Sequence, residues 1–275
     1  MRPKACAADA LGRLAGFHAE LCGDGGPVSR VGMSEPPGFE LPQGPIQGAS
    51  RQLTTQVRGS YDLEGEIAQT LCVTLEAQQG LWAGRGALMA YEDGVDWHLR
   101  IPGAAVSRML SGEGLSLTYV QSRRSGARVH LSASEMGKVA VWDLAWGPVT
   151  CTSGAFLAAV GDVRIDVTVA KRIGAALFGG AGLLLQKISG RGLVFLHGAG
   201  DFVERELHAG QRLSVSSGHL AAFGPEVSYD VVGVGGCLRS LFGGEGFFMT
   251  QMTGPGRVLL QTVRRARKGS ESKSG

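Results

Sequence analysis

Three polar residues stand at one recurring offset in this chain. His98, Asp166 and Asp230 each lie twelve residues after a glycine, namely Gly86, Gly154 and Gly218. An imidazole and two carboxylates hold a divalent cation when they converge. If the three glycine-headed segments surround a common axis, these side chains meet on it; if not, they are outward polar residues at strand ends. Glu113 and Glu245 sit in matching positions beside Gly114 and Gly246. Paired carboxylates perform acid–base work, but the third matching position is Ala181, and a glutamate beside a glycine turn is ordinarily solvated. His197, His208 and His219 are scattered without an arranged partner.

HExxH and GxSxG are absent, which argues against the common hydrolases and metalloproteases. The cysteines, Cys6, Cys22, Cys72, Cys151 and Cys237, are odd in number and widely spaced. They spell neither a zinc site nor a disulfide framework, and a reducing compartment is the simpler inference. No catalytic residue and no cofactor is expected. The stretch LFGGEGFFMTQMTGPGRVLLQT over 241–262 raises the question of a phosphate loop. Such a loop precedes a helix, whose first N–H groups hold the anion. Gly243-Gly244-Glu245-Gly246 instead precedes an alternating run and lacks the P-loop lysine and Ser/Thr, so it reads as a turn.

The elements that would position these residues recur. SGEGLSLTYV at 111–120, GGAGLLLQKI at 179–188 and GGEGFFMTQM at 243–252 are each followed by a glycine-bearing turn and a second apolar run. Their anchoring glycines, Gly114, Gly182 and Gly246, are 68 and 64 residues apart, as are Gly86, Gly154 and Gly218. Two motifs on one spacing point to three internal repeats of about 65 residues. Leu115 and Leu117, Leu183 and Leu185, and Phe247 and Met249 share one face at period two, opposite Ser116 and Thr118, Leu184 and Gln186, and Phe248 and Thr250. That alternation predicts half-buried strands, and the GRG and GPG turns, with Gly254 and Gly256 around Pro255, predict hairpins. The fold class expected is all-β, in antiparallel sheets. The 44 glycines serve turns.

The expected organisation is a flexible appendage over 1–45, one all-β domain over 46–263 (repeats near 46–130, 131–196 and 197–263) and a basic disordered tail over 264–275. The tail holds five basic groups and one acidic, and residues 1–50 hold four basic and five acidic, so the +3 of the chain leaves its body neutral. A neutral body makes nucleic acid an unlikely partner. The longest nearly uncharged apolar run, Ile173 to Leu185, has 13 residues, short of the ~20 that span a bilayer as a helix. Three loops carry large apolar residues just before the glycines: Met109 and Leu110, Leu177 and Phe178, Leu241 and Phe242. Exposed together, they suit oligomerisation, a protein partner or peripheral membrane contact; folded back, they cap the core.

LHAGQRLSVSSGHLAAFGPEVSYDV (207–231) and SLFGGEGFFMTQMTGPGRVLLQT (240–262) resemble the family of the yeast protein altered inheritance of mitochondria, number twenty-four, over about residues 46–263. The resemblance implies a double-stranded β-helix like the tryptophan RNA-binding attenuation protein, with three structural repeats per chain. It implies no catalytic residues, and it links mitochondrial members to inner-membrane organisation. Fold does not carry function with it. The expectation is a non-catalytic cytoplasmic scaffold or binding module that forms a homo-oligomer or binds a protein partner. One alternative is a peripheral membrane-organising protein using the apolar loops and basic tail, mitochondrial if the source is eukaryotic. A further alternative is a metal- or small-molecule-binding protein at the repeat axis.

Overall fold

The computed structural model of the chain describes residues 51–52, 57–102, 116–170, 183–233 and 248–265. Among the described residues there are eighteen strands and one 3-10 turn, Leu144–Trp146, and every pairing between these strands is antiparallel. The all-β expectation holds. In chain order the first group is β1 (Arg51–Gln52), β2 (Ser60–Glu64), β3 (Thr70–Leu75), β4 (Gly80–Ala83), β5 (Leu88–Tyr91), β6 (Val95–Arg100), β7 (Leu117–Ser122) and β8 (Ala127–Leu131). The second is β9 (Gly137–Asp143), β10 (Val149–Thr152), β11 (Phe156–Ala170) and β12 (Leu183–Ala199). The third is β13 (Phe202–Leu207), β14 (Arg212–Ser216), β15 (Leu220–Phe223), β16 (Ser228–Gly233), β17 (Phe248–Thr253) and β18 (Gly256–Gln261).

In the first and third groups the ladders run alike. In the first, β7 pairs with β4 and β6, while β8 pairs with β3 and β5. In the third, β17 pairs with β14 and β16, while β18 pairs with β13 and β15. The two apolar runs flanking each glycine turn therefore do not pair with each other, and the expected hairpins are not formed. Both edges of each run are already occupied by other strands, so the turn carries the chain from one sheet to another.

In the second group there is no turn at GRG at all: β12 continues from Leu183 to Ala199 against β11. Both strands bend where Gly161 faces Gly192, with φ of 117° and 140°. A Cβ at Gly161 would press on the Arg191 carbonyl, and one at Gly192 on the Val160 carbonyl. Only glycine fits that corner. The GPG segment does turn, between β17 and β18, and Gly256 takes φ 123° there.

The phase of the strands also differs from the sequence reading. Thr118, Gln186 and Thr250, assigned to the polar face, are buried beside Val120, Ile188 and Met252 on the same side. Leu117 and Leu185 are buried as well, because these strands are covered on both faces rather than one. Thr250 is accommodated by the Ser217 hydroxyl at 3.0 Å, as a buried hydroxyl requires.

Three apolar clusters form the core, and each joins neighbouring groups. Leu71, Leu75, Leu131 and Phe195 anchor the first, with Leu157 and Val160 of β11 packed among them. The second joins Ile165, Ile188 and Leu196 to Leu117, Ala222 and Leu259. The third centres on Leu220, Met252 and Val258, with Leu185 of β12. A fully buried Leu or Phe contributes about 1.5–3 kcal/mol, so these contacts hold the groups together. Two ladders reinforce them: β4 pairs with β11 (Ala83 opposite Ala158) and β10 pairs with β15 (Cys151 opposite Ala222).

Candidate functional site

His98 on β6, Asp166 on β11 and Asp230 on β16 face Tyr119, Lys187 and Gln251 across their ladders. The structure does not assemble them into a cation site: among the described residues no group of three or more His, Cys, Asp or Glu is placed to hold a metal. The His98 ring lies 5.5 Å from that of Tyr119. The Asp166 carboxylate is paired with Arg164 at 3.0 Å, so its charge is met by a protein cation. Asp230 is exposed.

His219 Nδ1 lies 2.9 Å from the Gln261 carbonyl, and the His208 backbone N–H donates to Gln211 Oε1 at 2.9 Å, so both stand in turns. Met109, Leu110, Leu177, Phe178, Leu241 and Phe242, with Glu113, Glu245, Gly114, Gly182 and Gly246, lie outside the described residues, as does the appendage over 1–45.

The strongest polar cluster surrounds Arg265, which the sequence reading placed in the basic tail. Its guanidinium instead enters the body and donates to the Gly154 carbonyl, to the His197 carbonyl and Nδ1, both at 3.1 Å, and to Gln261 Oε1 at 3.2 Å. The Glu135 carboxylate stands 3.4 Å away. Gly154 must be glycine here, since a Cβ would overlap the arginine stem. Burial, and then the Arg265 charge, push the His197 pKa down to about 4, while a hydrogen bond to the Glu135 backbone acts the other way. His197 is therefore neutral at pH 7, and its Nδ1 lone pair is occupied by an arginine donor. An imidazole used in this way is no general base. The cluster is a clasp that holds the segment after β18 against the body.

What the described surface does present is apolar. Met89 and Tyr91 on β5, Trp97 and Leu99 on β6, and Ile101 just beyond are all exposed. Trp97 Nε1 donates to the Tyr91 hydroxyl at 3.3 Å, tying the two strands. Val95, Trp97, Leu99 and Ile101 alternate at period two, the pattern of a strand face meant for burial. Sequence reasoning passed over these residues because periodicity shows which face is apolar, not whether anything covers it. Burial pushes the Cys72 thiol up to about 11 and raises that of Cys151 as well, so both are inert thiols rather than nucleophiles.

An all-β chain with long corner-turning strands defines the structural class, and the comparisons with known proteins agree with it. The sequence profile described as Mitochondrial biogenesis AIM24 matches residues 61–263, and the chain belongs to that family. The uncharacterized protein M6_Spy0233 of Streptococcus pyogenes serotype M6 is 28% identical over 165 residues, which is 60% of this chain and 65% of that protein. The match thus spans slightly less than two thirds of the relative's length. The crystal structure of protein SPYM3_0169 from Streptococcus pyogenes is similar in fold, with a TM-score of 0.64 and 21% identity over 75% of this chain and 94% of that one. Among the described residues no helix is long and apolar enough to cross a membrane.

Proposed function

We propose that this protein is a non-catalytic scaffold or binding protein that works through a sheet surface. The observation that carries this reading is the exposed apolar group of Met89, Tyr91, Trp97, Leu99 and Ile101, on β5, on β6 and just beyond it, two strands of different sheets that the Trp97–Tyr91 hydrogen bond brings together. Contiguous exposed apolar surface of this kind marks an interaction site. Tyr and Trp suit it, because they supply large contact area at small entropic cost. Polar groups of the kind that do chemistry have structural occupations in the described structure: Asp166, a candidate metal ligand, pairs with Arg164, and His197 receives Arg265.

Elemental and small-molecule analysis of the purified full-length chain tests the non-catalytic part. The expected result is protein without a stoichiometric metal or retained organic ligand. A stoichiometric metal that disappears in the Asp166→Ala and Asp230→Ala variants overturns it and restores the axial site. A peripheral membrane role is separable from the scaffold role by vesicle flotation. Binding to vesicles of anionic lipid, lost when residues 266–275 are removed, would replace the scaffold reading.

A further inference from the structure

The two ladders that join neighbouring groups follow one rule. β4 of the first group pairs with β11 of the second, with Trp82 opposite Ala159 and Ala83 opposite Ala158. β10 of the second pairs with β15 of the third, with Thr150 opposite Phe223 and Cys151 opposite Ala222. Moving along the chain by 68 residues on one side and 64 on the other converts the first set of pairs into the second. Other features keep these intervals. A β-bulge falls between Leu88 and Ala90, between Phe156 and Ala158, and between Leu220 and Ala222. Asp96 opposite Gln121, Arg164 opposite Ser189 and Ser228 opposite Thr253 form a further matched series.

The rule leaves one strand over at each end. The counterpart of β4 and β10 in the third group is β14, and the counterpart of β11 and β15 in the first group is β5. Among the described residues β14 pairs with β17 alone and β5 with β8 alone, so each is an edge of its described sheet. Continuing the two intervals places Ser214 opposite Tyr91 and Val215 opposite Ala90.

The exposed apolar face lies on this vacant seam. Met89 is 63% exposed, while its counterparts are Leu157 at 1% and Ala221 at 0%. Leu99 is 61% exposed, against 7% for Val167 and 6% for Val231. Tyr91 corresponds to Ala159 and Phe223, which are buried. Several of the covered counterparts share a core cluster with the preceding group: Leu157 with Leu81, Ile165 (the counterpart of Trp97) with Leu117, and Val231 with Leu185. Among the described residues no group precedes the first, and in this Met89 and Leu99 differ from their buried counterparts.

We propose that copies of this chain join head to tail, with β14 of one copy adding antiparallel to β5 of the next in the register of the two internal seams. The partner of the apolar face, on the reading that it is an interaction surface, is thus a second copy of this chain. The contact is heterologous, since β14 and β5 are different surfaces, so assembly closes into a ring when the rotation allows it. Edge strands with unpaired N–H and C=O groups favour such addition.

The test is a directed disulfide in the full chain, with Cys6, Cys22 and Cys237 replaced by serine. Tyr91→Cys and Ser214→Cys, both at exposed positions, are made separately and then co-expressed. The expected result is a covalent dimer from the co-expressed pair and none from either variant alone. A dimer from Tyr91→Cys by itself would overturn the head-to-tail pairing. A disulfide within one monomer of a chain carrying both substitutions would show that the seam closes inside the chain and would overturn the proposal. No cross-link, with a monomer of 28.7 kDa, would show that something else covers β5, residues 1–50 included. Met89→Asp provides a second measurement: it is expected to convert the assembly to folded monomer, and an unchanged assembly contradicts the seam. Either failure, in protein free of metal, overturns the seam while leaving the binding reading standing.

Discussion

His197 ties the chemistry of the clasp to a measurable pH dependence. Its pKa in the folded chain is about 4, below the ordinary 6.5. The unfolded chain therefore takes up a proton first as pH falls. Stability is unaffected above about 6.5, falls between there and about 4, and levels off below. The full difference is on the order of 3 kcal/mol. Urea unfolding at a series of pH values checks this, and His197→Gln is expected to flatten the slope between pH 6.5 and 4. Arg265→Ala leaves the His197 and Gly154 carbonyls and Glu135 without their donor or counter-charge. Stranded buried partners cost about 1–3 kcal/mol, so a chain cut after Arg264 is expected to melt below one cut after Ala266. Equal melting temperatures for the two truncations would show that the clasp contributes nothing.

At the scale of elements, much of the strand content was legible and the way strands meet was not. Leu71, Val73 and Leu75 alternate and are buried as period two requires. Gly254 and Gly256 flank a real turn. The hairpins failed because a glycine between two apolar runs signals a change of direction without naming the partner of either run; long-range ladders decided that. GRG failed further, since Gly190 and Gly192 serve a bend inside one strand. The phase error has a similar origin: Thr118, Gln186 and Thr250 look like solvent-facing residues only if one face of the sheet is wet. Arg265 was invisible because a short basic run reads as solvated until its neighbours in space are known.

The glycine corner gives a direct check at this scale. Gly161→Ala and Gly192→Ala combine positive φ with backbone contact, whereas Gly86 has φ 74° and open space around it. The φ penalty alone is roughly 1 kcal/mol. Gly86→Ala is therefore expected to lose about that much. Either corner variant is expected to lose at least twice as much, on the order of 2–3 kcal/mol in denaturant unfolding.

At the scale of the whole molecule, the family and the all-β class were readable from motifs spaced along the chain, while the candidate site was not. The metal reading joined His98, Asp166 and Asp230 because they share an offset. A shared offset places residues at matching positions on successive strands, and matching positions need not converge. The apolar loops that the sequence favoured lie outside the described residues, and the exposed apolar group on β5 and β6 has no covering group among the described residues. Whether a strand face is covered is decided by its neighbours in space, which no segment of sequence states.

Burial of Met89, Tyr91, Trp97 and Leu99 against a second copy is the central claim about this surface. Native mass spectrometry of the untagged full-length chain addresses it most directly. The account predicts a discrete species at an integral multiple of 28.7 kDa, carrying no additional mass and dissociated by Met89→Asp. A monomer of 28.7 kDa at micromolar concentration, or an assembly that Met89→Asp leaves intact, would contradict it.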